Sequence, residues 1–142
     1  MTATSDSQSA ATLTRDECVA NLRRHSLGRI AVSHRGLPQI LPINYTLDGA
    51  AVMFRTDEGG LLDRCCHDTV VAFEVDDYDD HAGAGWSVLI VGTASVLDAG
   101  DSLRAIEMQL ESAGASDGKV FVKVVPGVIS GRRIGPEPVR TV

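Results

Sequence analysis

The chain has 142 residues, 44% of them apolar, which suits one domain with a single hydrophobic core. Its formal charge of −6 and pI near 5.0 argue against nucleic acid or an anionic membrane as a partner, because both require a basic surface. No segment approaches the roughly 18 consecutive apolar residues of a membrane span. The N-terminal stretch MTATSDSQSAATLTRDE also lacks a basic start followed by an apolar segment, so we expect a cytoplasmic protein.

The N-terminal region predicts a tail followed by a helix. Residues 1–13 are rich in Ser, Thr and Ala without apolar periodicity, which is typical of a disordered tail. Thr14 and Glu17 have the spacing of a capping box, and Val19 and Leu22 follow at helical intervals. This pattern predicts a helix from about residue 15 to residue 25.

Three antiparallel strands are predicted next. The alternating apolar positions of these strands are Ile30 and Val32, then Ile40, Ile43 and Tyr45, then Val52 and Phe54. Short turns at residues 34–36 and 48–49 join them, and strands joined so tightly cannot be parallel, which excludes a doubly wound nucleotide-binding fold. Pro38 and Pro42 cannot donate to a strand ladder, so the second strand should contain an edge segment or a bulge.

The second half of the chain alternates further strands with short helices. The patterns predict a helix at 61–66, a strand at 69–75, a polar loop at 76–81, a strand at 86–97, a helix at 99–113 and a strand at 120–131 interrupted at Pro126–Gly127. The result is a mainly β fold, a six-stranded antiparallel barrel with Greek-key links and flanking helices. The last two strands carry more apolar side chains than one interior needs, which predicts a homodimer.

Two groups of potential metal ligands are interpreted as structural. Cys65, Cys66 and His67 are adjacent in sequence, and no second Cys/His pair is present to complete a zinc site. The carboxylates of residues 76–81 lack the residue order of a calcium loop. Including Cys18, the three cysteines leave an odd thiol in any pairing, so we predict reduced thiols and no metal site.

The end of the third strand carries the parts of an anion site. Arg55 and Thr56 offer a fixed cation and a hydroxyl donor, and Gly59–Gly60 precede a helix start with unpaired N–H groups. The spacing does not match a P-loop, so nucleotide hydrolysis is not indicated. The alternative is a surface ion pair of Arg55 with Asp57 or Glu58. No nucleophile motif is present, so a redox cofactor would have to supply any chemistry.

The order of the motifs resembles that of the flavin split-barrel proteins, the pyridoxamine 5′-phosphate oxidase-like superfamily. The matching stretches lie within about residues 15–134 and are GRIAV, LPINYTLDG, VMFRT, VAFEVDDYD, GWSVLIVGTASVLD and the terminal GRRI. The resemblance implies a split-barrel domain over residues 14–135, followed by a C-terminal tail at 136–142. It also implies a homodimer that binds FMN, or the deazaflavin F420, in clefts between the subunits.

The resemblance further implies where the cofactor would lie. The implied contacts are Pro42, Ile43, Asn44 and Tyr45 along the isoalloxazine ring, Arg55, Thr56, Gly59, Gly60 and Leu61 at the phosphate, and Trp86 and Ser87 closing the ring site. Close relatives usually carry a lysine at the position of Leu61, so this chain departs from the pattern there. No catalytic residue is implied.

Three functions follow from the resemblance. The first is a flavin or deazaflavin oxidoreductase that moves a hydride between its cofactor and a small molecule. The second is a module that stores, carries or senses FMN, F420 or haem without turnover. The third is a split-barrel protein that has lost its cofactor, which Leu61 favours. The chain is shorter than a true pyridoxamine phosphate oxidase, so oxidation of vitamin B6 is not implied.

Overall fold

The computed structural model of the chain describes residues 11–97, 103–112 and 118–135. The predicted tails lie outside the described residues for 1–10 and 136–142. Residues 11–13 of the predicted N-terminal tail are described and are structured, because Thr12 pairs with Arg132 and Leu13 is buried in the core. The elements in chain order are α1 (Arg15–Arg23), β1 (Leu27–His34), β2 (Leu37–Asn44), β3 (Thr46–Asp48), β4 (Ala51–Thr56), α2 (Leu61–Cys65), β5 (Thr69–Asp79), β6 (Ala84–Leu97), α3 (Leu103–Ser112) and β7 (Val120–Ile134). No helix within the described ranges is long and apolar enough to cross a membrane.

The described strands form one antiparallel sheet of seven strands, in the order β2-β1-β5-β6-β7-β4-β3. Its two edge strands, β2 and β3, are separated in the chain by Tyr45 alone. Because consecutive residues cannot be far apart, the sheet curls until its two edges meet. The predicted mainly β, antiparallel split barrel is thereby confirmed.

The strand count differs from the six strands predicted, and Tyr45 is the reason. The apolar pattern predicts Tyr45 at the end of the second strand, but its N–H donates to the Ser26 carbonyl at 2.9 Å, outside the strand ladders. The chain turns at this residue, and Thr46–Asp48 pair with β4 as a separate strand. One predicted strand is therefore two strands on opposite edges of the sheet.

The core lies inside the curled sheet and is built from the predicted alternation. Ile30 and Val32 of β1, Phe73 of β5 and Ile90 of β6 are at most 2% exposed and belong to one apolar cluster. Helix α1 adds Leu22, which is fully buried. The predicted capping box of this helix is confirmed, because the Glu17 N–H donates to Thr14 Oγ1 at 3.2 Å and the Thr14 N–H donates to Glu17 Oε1 at 3.0 Å.

The predicted polar loop at residues 76–81 is wrong over its first four residues. Strand β5 continues to Asp79, which pairs with Ala84 of β6, so only residues 80–83 form the turn. Backbone pairing carries the hairpin past the core, where the side chains of residues 76–79 are exposed. A run of acidic residues is compatible with a strand there because no apolar burial is required.

The predicted interruption of the last strand at Pro126–Gly127 is a β-bulge. Strand β7 runs without a break, but its pairing with β6 shifts between Val91 and Gly92, which face Val128 and Pro126 respectively. Gly127 is therefore the extra residue of the bulge. The predicted helices at 61–66 and 99–113 are observed as α2 and α3, and residues 99–102 and 113 lie outside the described ranges.

The bulge gives a test of this packing. A Cβ at Gly92 would lie 2.2 Å from the Val125 carbonyl oxygen, whereas a Cβ at Gly127 would lie 3.4 Å from the Val91 carbonyl oxygen. We expect Gly92→Ala to lower the free energy of unfolding by about 1–3 kcal/mol, as overpacking does. Gly127→Ala, on the facing strand, should change it by less than about 0.5 kcal/mol. Urea unfolding followed by circular dichroism measures both, and equal losses would contradict this packing.

Candidate functional site

A cleft of about 530 Å³ opens where the end of α1, strand β3 and helix α3 come together. Its wall includes Arg23, His25, Tyr45, Thr46 and Gln109. Sites for small molecules usually measure roughly 300–1,000 Å³, so the volume suits a ligand of cofactor-ring size. The cleft lies where the two edges of the split barrel meet.

Tyr45 is the fixed point of the cleft wall. Its side chain is 1% exposed, its hydroxyl donates to the Leu22 carbonyl of α1, and its ring packs edge-on against Phe73 with centroids 4.9 Å apart. Burial raises the pKa of the Tyr45 phenol far above its usual value, so the group is neutral and serves as a hydrogen-bond donor. The neighbouring Asn44 donates from Nδ2 to the Ser26 carbonyl at 3.3 Å.

The segment implied to contact a cofactor ring lies on an edge strand, as the prolines predicted. β2 pairs with β1 on one side only, with Pro42 opposite Arg29 and Ile43 opposite Gly28. Pro42 is exposed, whereas the Ile43 side chain enters the core at 9% exposure. Of the four implied ring contacts, Tyr45 lines the cleft. A ring-binding role for residues 42–45 stays a prediction.

Trp86 and Ser87 lie on opposite faces of β6. The Trp86 ring contacts the ring of His25 edge-on, with centroids 5.1 Å apart, and His25 lines the cleft. Ser87 faces the outer side of the sheet, where it lines a separate groove of about 520 Å³ with Glu74 and Arg132. Trp86 thus lies behind His25, a residue of the cleft wall, whereas Ser87 lies on the other face of the sheet, away from the cleft.

Arg55 is held by helix α3. Its side chain is 6% exposed, and its Nη1 lies 3.4 Å from Glu107 Oε1 and 3.8 Å from Glu111 Oε1. These carboxylates lie on α3, which begins at Leu103 and is therefore distant from Arg55 in the sequence. Thr46 Oγ1 donates to Gln109 Oε1 on the same helix at 3.0 Å. Helix α3 therefore contributes both to the cleft wall and to the surroundings of Arg55.

In the glycine turn after β4, the N–H groups of both glycines are hydrogen-bonded within the segment itself. The Gly59 N–H donates to Asp63 Oδ2 at 2.8 Å, and the Gly60 N–H donates to the Asp57 carbonyl at 3.2 Å. Gly59 has φ +76°, a left-handed conformation that favours glycine. Leu61 packs against the core cluster at the start of a five-residue helix. With Arg55 paired and these donors occupied, the segment as folded does not fit a phosphate group.

The cysteines lie in apolar surroundings. Cys18, Cys65 and Cys66 are buried and form no disulfide. Burial, with the nearby Cys65 and Asp63, raises the pKa of the Cys66 thiol to about 11. Cys65 Sγ lies 3.8 Å from His34 Nδ1. Among the described residues no group of three or more potential ligands is arranged to hold a metal ion.

Sequence reasoning missed several residues of this region. Arg23, His25 and Gln109 line the cleft, but they lie on separate elements and form no motif. Glu107 and Glu111 are spaced i,i+4, a signal that places both on one helix face. That spacing does not name Arg55 as their partner, because the contact depends on how α3 packs across β3 and β4.

Known proteins establish the family. A family profile described as pyridoxamine 5′-phosphate oxidase matches residues 14–133, most of the chain. The chain belongs to this family. The family match and the fold together confirm the resemblance to the flavin split-barrel superfamily.

Two solved structures share this fold, and a further protein is similar in sequence. An FAD-binding protein of Mycobacterium smegmatis is 32% identical with a TM-score of 0.73, over 88% of this chain and 98% of that one. An FAD-binding protein of Mesorhizobium loti is 20% identical with a TM-score of 0.69, over 87% of this chain and 97% of that one, and shows the fold alone. An uncharacterised protein of Mycobacterium tuberculosis is 39% identical over 98 residues, which are 67% of this chain and 87% of that protein.

A charged group borders the groove on the outer face of the sheet. Arg29 Nη1 lies 3.4 Å from both Glu74 Oε1 and Asp76 Oδ2. Burial, followed by the hydrogen bond to Asp76 and its charge, raises the pKa of Glu74 to about 7, although Arg29 acts in the opposite direction. In the native state Glu74 is therefore mainly protonated below about pH 7.

This raised pKa predicts a pH dependence of stability. Between about pH 4.5 and pH 7 the native chain retains a proton at Glu74 that the unfolded chain releases. Its contribution to the unfolding free energy is thus present in acid and lost as the pH rises through 7. Relative to wild type, Glu74→Gln should gain stability across this range. Urea unfolding from pH 4.5 to pH 8 measures the difference, and a pH-independent difference would contradict the assignment.

Proposed function

We propose that the chain is a flavin- or deazaflavin-dependent oxidoreductase whose cofactor ring lies in the cleft beside Tyr45. The observation that carries the proposal is a preformed cleft of about 530 Å³ at the split of a barrel that belongs to this family. FMN is the predicted cofactor, with F420 as the alternative, and the Mycobacterium smegmatis protein, named as an FAD-binding protein, supports the flavin class. When bound, such a cofactor supplies hydride transfer. A cytoplasmic location also stays a prediction.

The chain's own residues would bind and orient the ring. Thr46 and Gln109 are hydrogen-bonded to each other across the cleft wall, so these two polar side chains are fixed before a ligand arrives. Arg23 is held at the same wall, with Nη2 3.5 Å from the Gly49 carbonyl oxygen. A site whose polar side chains are already ordered loses less conformational entropy when a ligand binds.

A second subunit would cover the outer face of the sheet. Five apolar residues form a row across five adjacent strands, in which each residue is the direct cross-strand partner of the next: Ile40, Ala31, Ala72, Val91 and Val128. Ile40 is 72% exposed and Val128 is 59% exposed. A continuous apolar row of this kind is typical of an interface, and it supports the proposed homodimer.

One observation favours a second candidate, a split-barrel protein without a cofactor. Arg55, the implied phosphate ligand, is paired with two carboxylates of the same chain, and Leu61 occupies the position of the usual lysine. In that case the cleft would serve another small molecule. The two candidates differ in whether any flavin binds.

Flavin binding tests the proposal through a cleft residue. Titration with FMN, FAD, riboflavin and F420, followed by fluorescence, should show saturable binding of at least one of them. Gln109→Trp should fill the cleft and weaken that binding at least about tenfold, because it removes space needed by the ring. Met108→Trp is the matched control, since Met108 is the preceding residue of α3, is 69% exposed and does not line the cleft.

The outcomes separate the candidates. If none of these compounds binds, the flavin proposal fails and the cofactor-free candidate is favoured. If a flavin binds, turnover with NAD(P)H or reduced F420 as the electron donor distinguishes an oxidoreductase from a storage or sensing module. Equal loss of binding in both tryptophan variants would contradict the placement of the ring in the cleft.

The homodimer has its own test. Val128→Glu places a charge in the apolar row and should convert the dimer to a 15.0 kDa monomer, because a buried unpaired charge is costly. Leu37→Glu is the control, since Leu37 is 66% exposed but lies beside the β1–β2 turn, opposite His34 and outside the row. Light scattering at micromolar concentration measures the mass. A wild-type monomer, or a Val128→Glu dimer, would contradict the proposed interface.

A further inference from the structure

The surroundings of Arg55 point to selection of the cofactor by charge. We propose that Glu107 and Glu111 exclude a terminal phosphate from Arg55, so that the chain prefers a flavin without this phosphate over FMN. The inference rests on the proposed flavin binding and reverses the preference that the family resemblance implies. The residues responsible, Glu107 and Glu111, lie on α3 and not in the segment that the resemblance implies.

The three charged side chains are unequally buried. The Arg55 side chain is 6% exposed, whereas those of Glu107 and Glu111 are 45% and 59% exposed. A guanidinium so deeply buried requires a counter-charge, and here the chain itself provides it. The carboxylates are thus the exposed members of this group, and the cation is the buried one. An anion approaching Arg55 from solvent must therefore replace them.

The group formed by Arg55, Glu107 and Glu111 carries more negative than positive charge. One guanidinium and two carboxylates sum to a net charge of −1 when all three are ionised. A phosphate monoester carries a charge of about −1.5 to −2 near neutral pH, so the group as a whole repels it. A flavin that ends in a hydroxyl carries no such charge. The arrangement therefore penalises FMN and leaves riboflavin almost unaffected.

Neither the glycine turn nor Leu61 takes over the role of Arg55. The Gly59 N–H is bonded to Asp63 Oδ2 at 2.8 Å, and Leu61, the first residue of α2, is apolar and packs against the core. The Asp63 carboxylate adds a further negative charge at the turn. Three separate features of this segment thus oppose binding of a phosphate.

The carboxylates are also held in place by packing. Helix α3 packs on β3 and β4, its Leu110 is fully buried, and its Gln109 is hydrogen-bonded to Thr46 at 3.0 Å. Glu107 and Glu111 are one turn apart on this helix and both face the same guanidinium. Their position is therefore fixed by the same helix that forms the cleft wall.

The test compares wild type with the variant Glu107→Gln/Glu111→Gln, which keeps the shapes of both side chains and removes two charges. Riboflavin and FMN are titrated in parallel by fluorescence, and wild type should bind riboflavin at least as tightly as FMN. In the variant the affinity for FMN should rise about ten- to hundredfold, which is the range expected when a charge-assisted phosphate contact is gained. The affinity for riboflavin should hardly change.

A second arm uses inorganic phosphate and does not depend on flavin binding. At constant ionic strength, phosphate should raise the melting temperature of the glutamine variant and leave that of wild type unchanged. Adding Arg55→Met to the variant should abolish the shift, because the cation is then missing. The control Asp16→Asn/Asp80→Asn removes two charges at exposed positions elsewhere and should behave as wild type.

Each outcome decides the inference. It is overturned if wild type binds FMN more tightly than riboflavin, if phosphate stabilises wild type and the glutamine variant equally, or if phosphate stabilises neither. If riboflavin, FMN, FAD and F420 all fail to bind, the proposed function fails, and the phosphate arm still shows whether the glutamates block Arg55. If Asp16→Asn/Asp80→Asn also gains affinity for FMN, net charge and not this pair is responsible, which also overturns the inference.

Discussion

The barrel depends on the burial of one tyrosine between its two edge strands. Strands β2 and β3 belong to opposite edges of the sheet, yet Tyr45 alone separates them in the chain. Its ring packs on Phe73 inside the barrel, and its hydroxyl donates to the Leu22 carbonyl in the last turn of α1. The same residue thus joins the sheet edges, anchors the helix and forms part of the cleft wall. If the split opened wider, this side chain would become exposed to water and the free energy gained by its burial would be lost.

A second constraint is the buried cation at the end of β4. A guanidinium that is 6% exposed needs an anion, and a fold of this kind has two sources for it, a bound ligand or the chain itself. Here helix α3 provides the anion through Glu107 and Glu111. Membership of the family therefore fixes the fold, but it does not carry over the recognition of each chemical group.

Local patterns predicted most of the fold. Thr14 and Glu17 identified the start of α1, because a capping box involves residues only three positions apart. The alternation around Ile30 and Val32 identified a strand with one buried face. The strand at residues 76–79 was missed because backbone pairing, which ignores side-chain polarity, extends the β5–β6 hairpin beyond the core. The partners of Arg55 were missed because they depend on how a distant helix packs.

The position of the last strand has a consequence for biosynthesis. β7 lies between β6 and β4, so among the described strands β4 is otherwise paired only with the three-residue strand β3. While the ribosome is still adding residues 120–134, the nascent chain has an unpaired edge on β6 and another on β4. Both edges expose backbone donors and acceptors to other nascent chains. Translation that stops before residue 120 should therefore yield an aggregation-prone product and not a smaller folded domain.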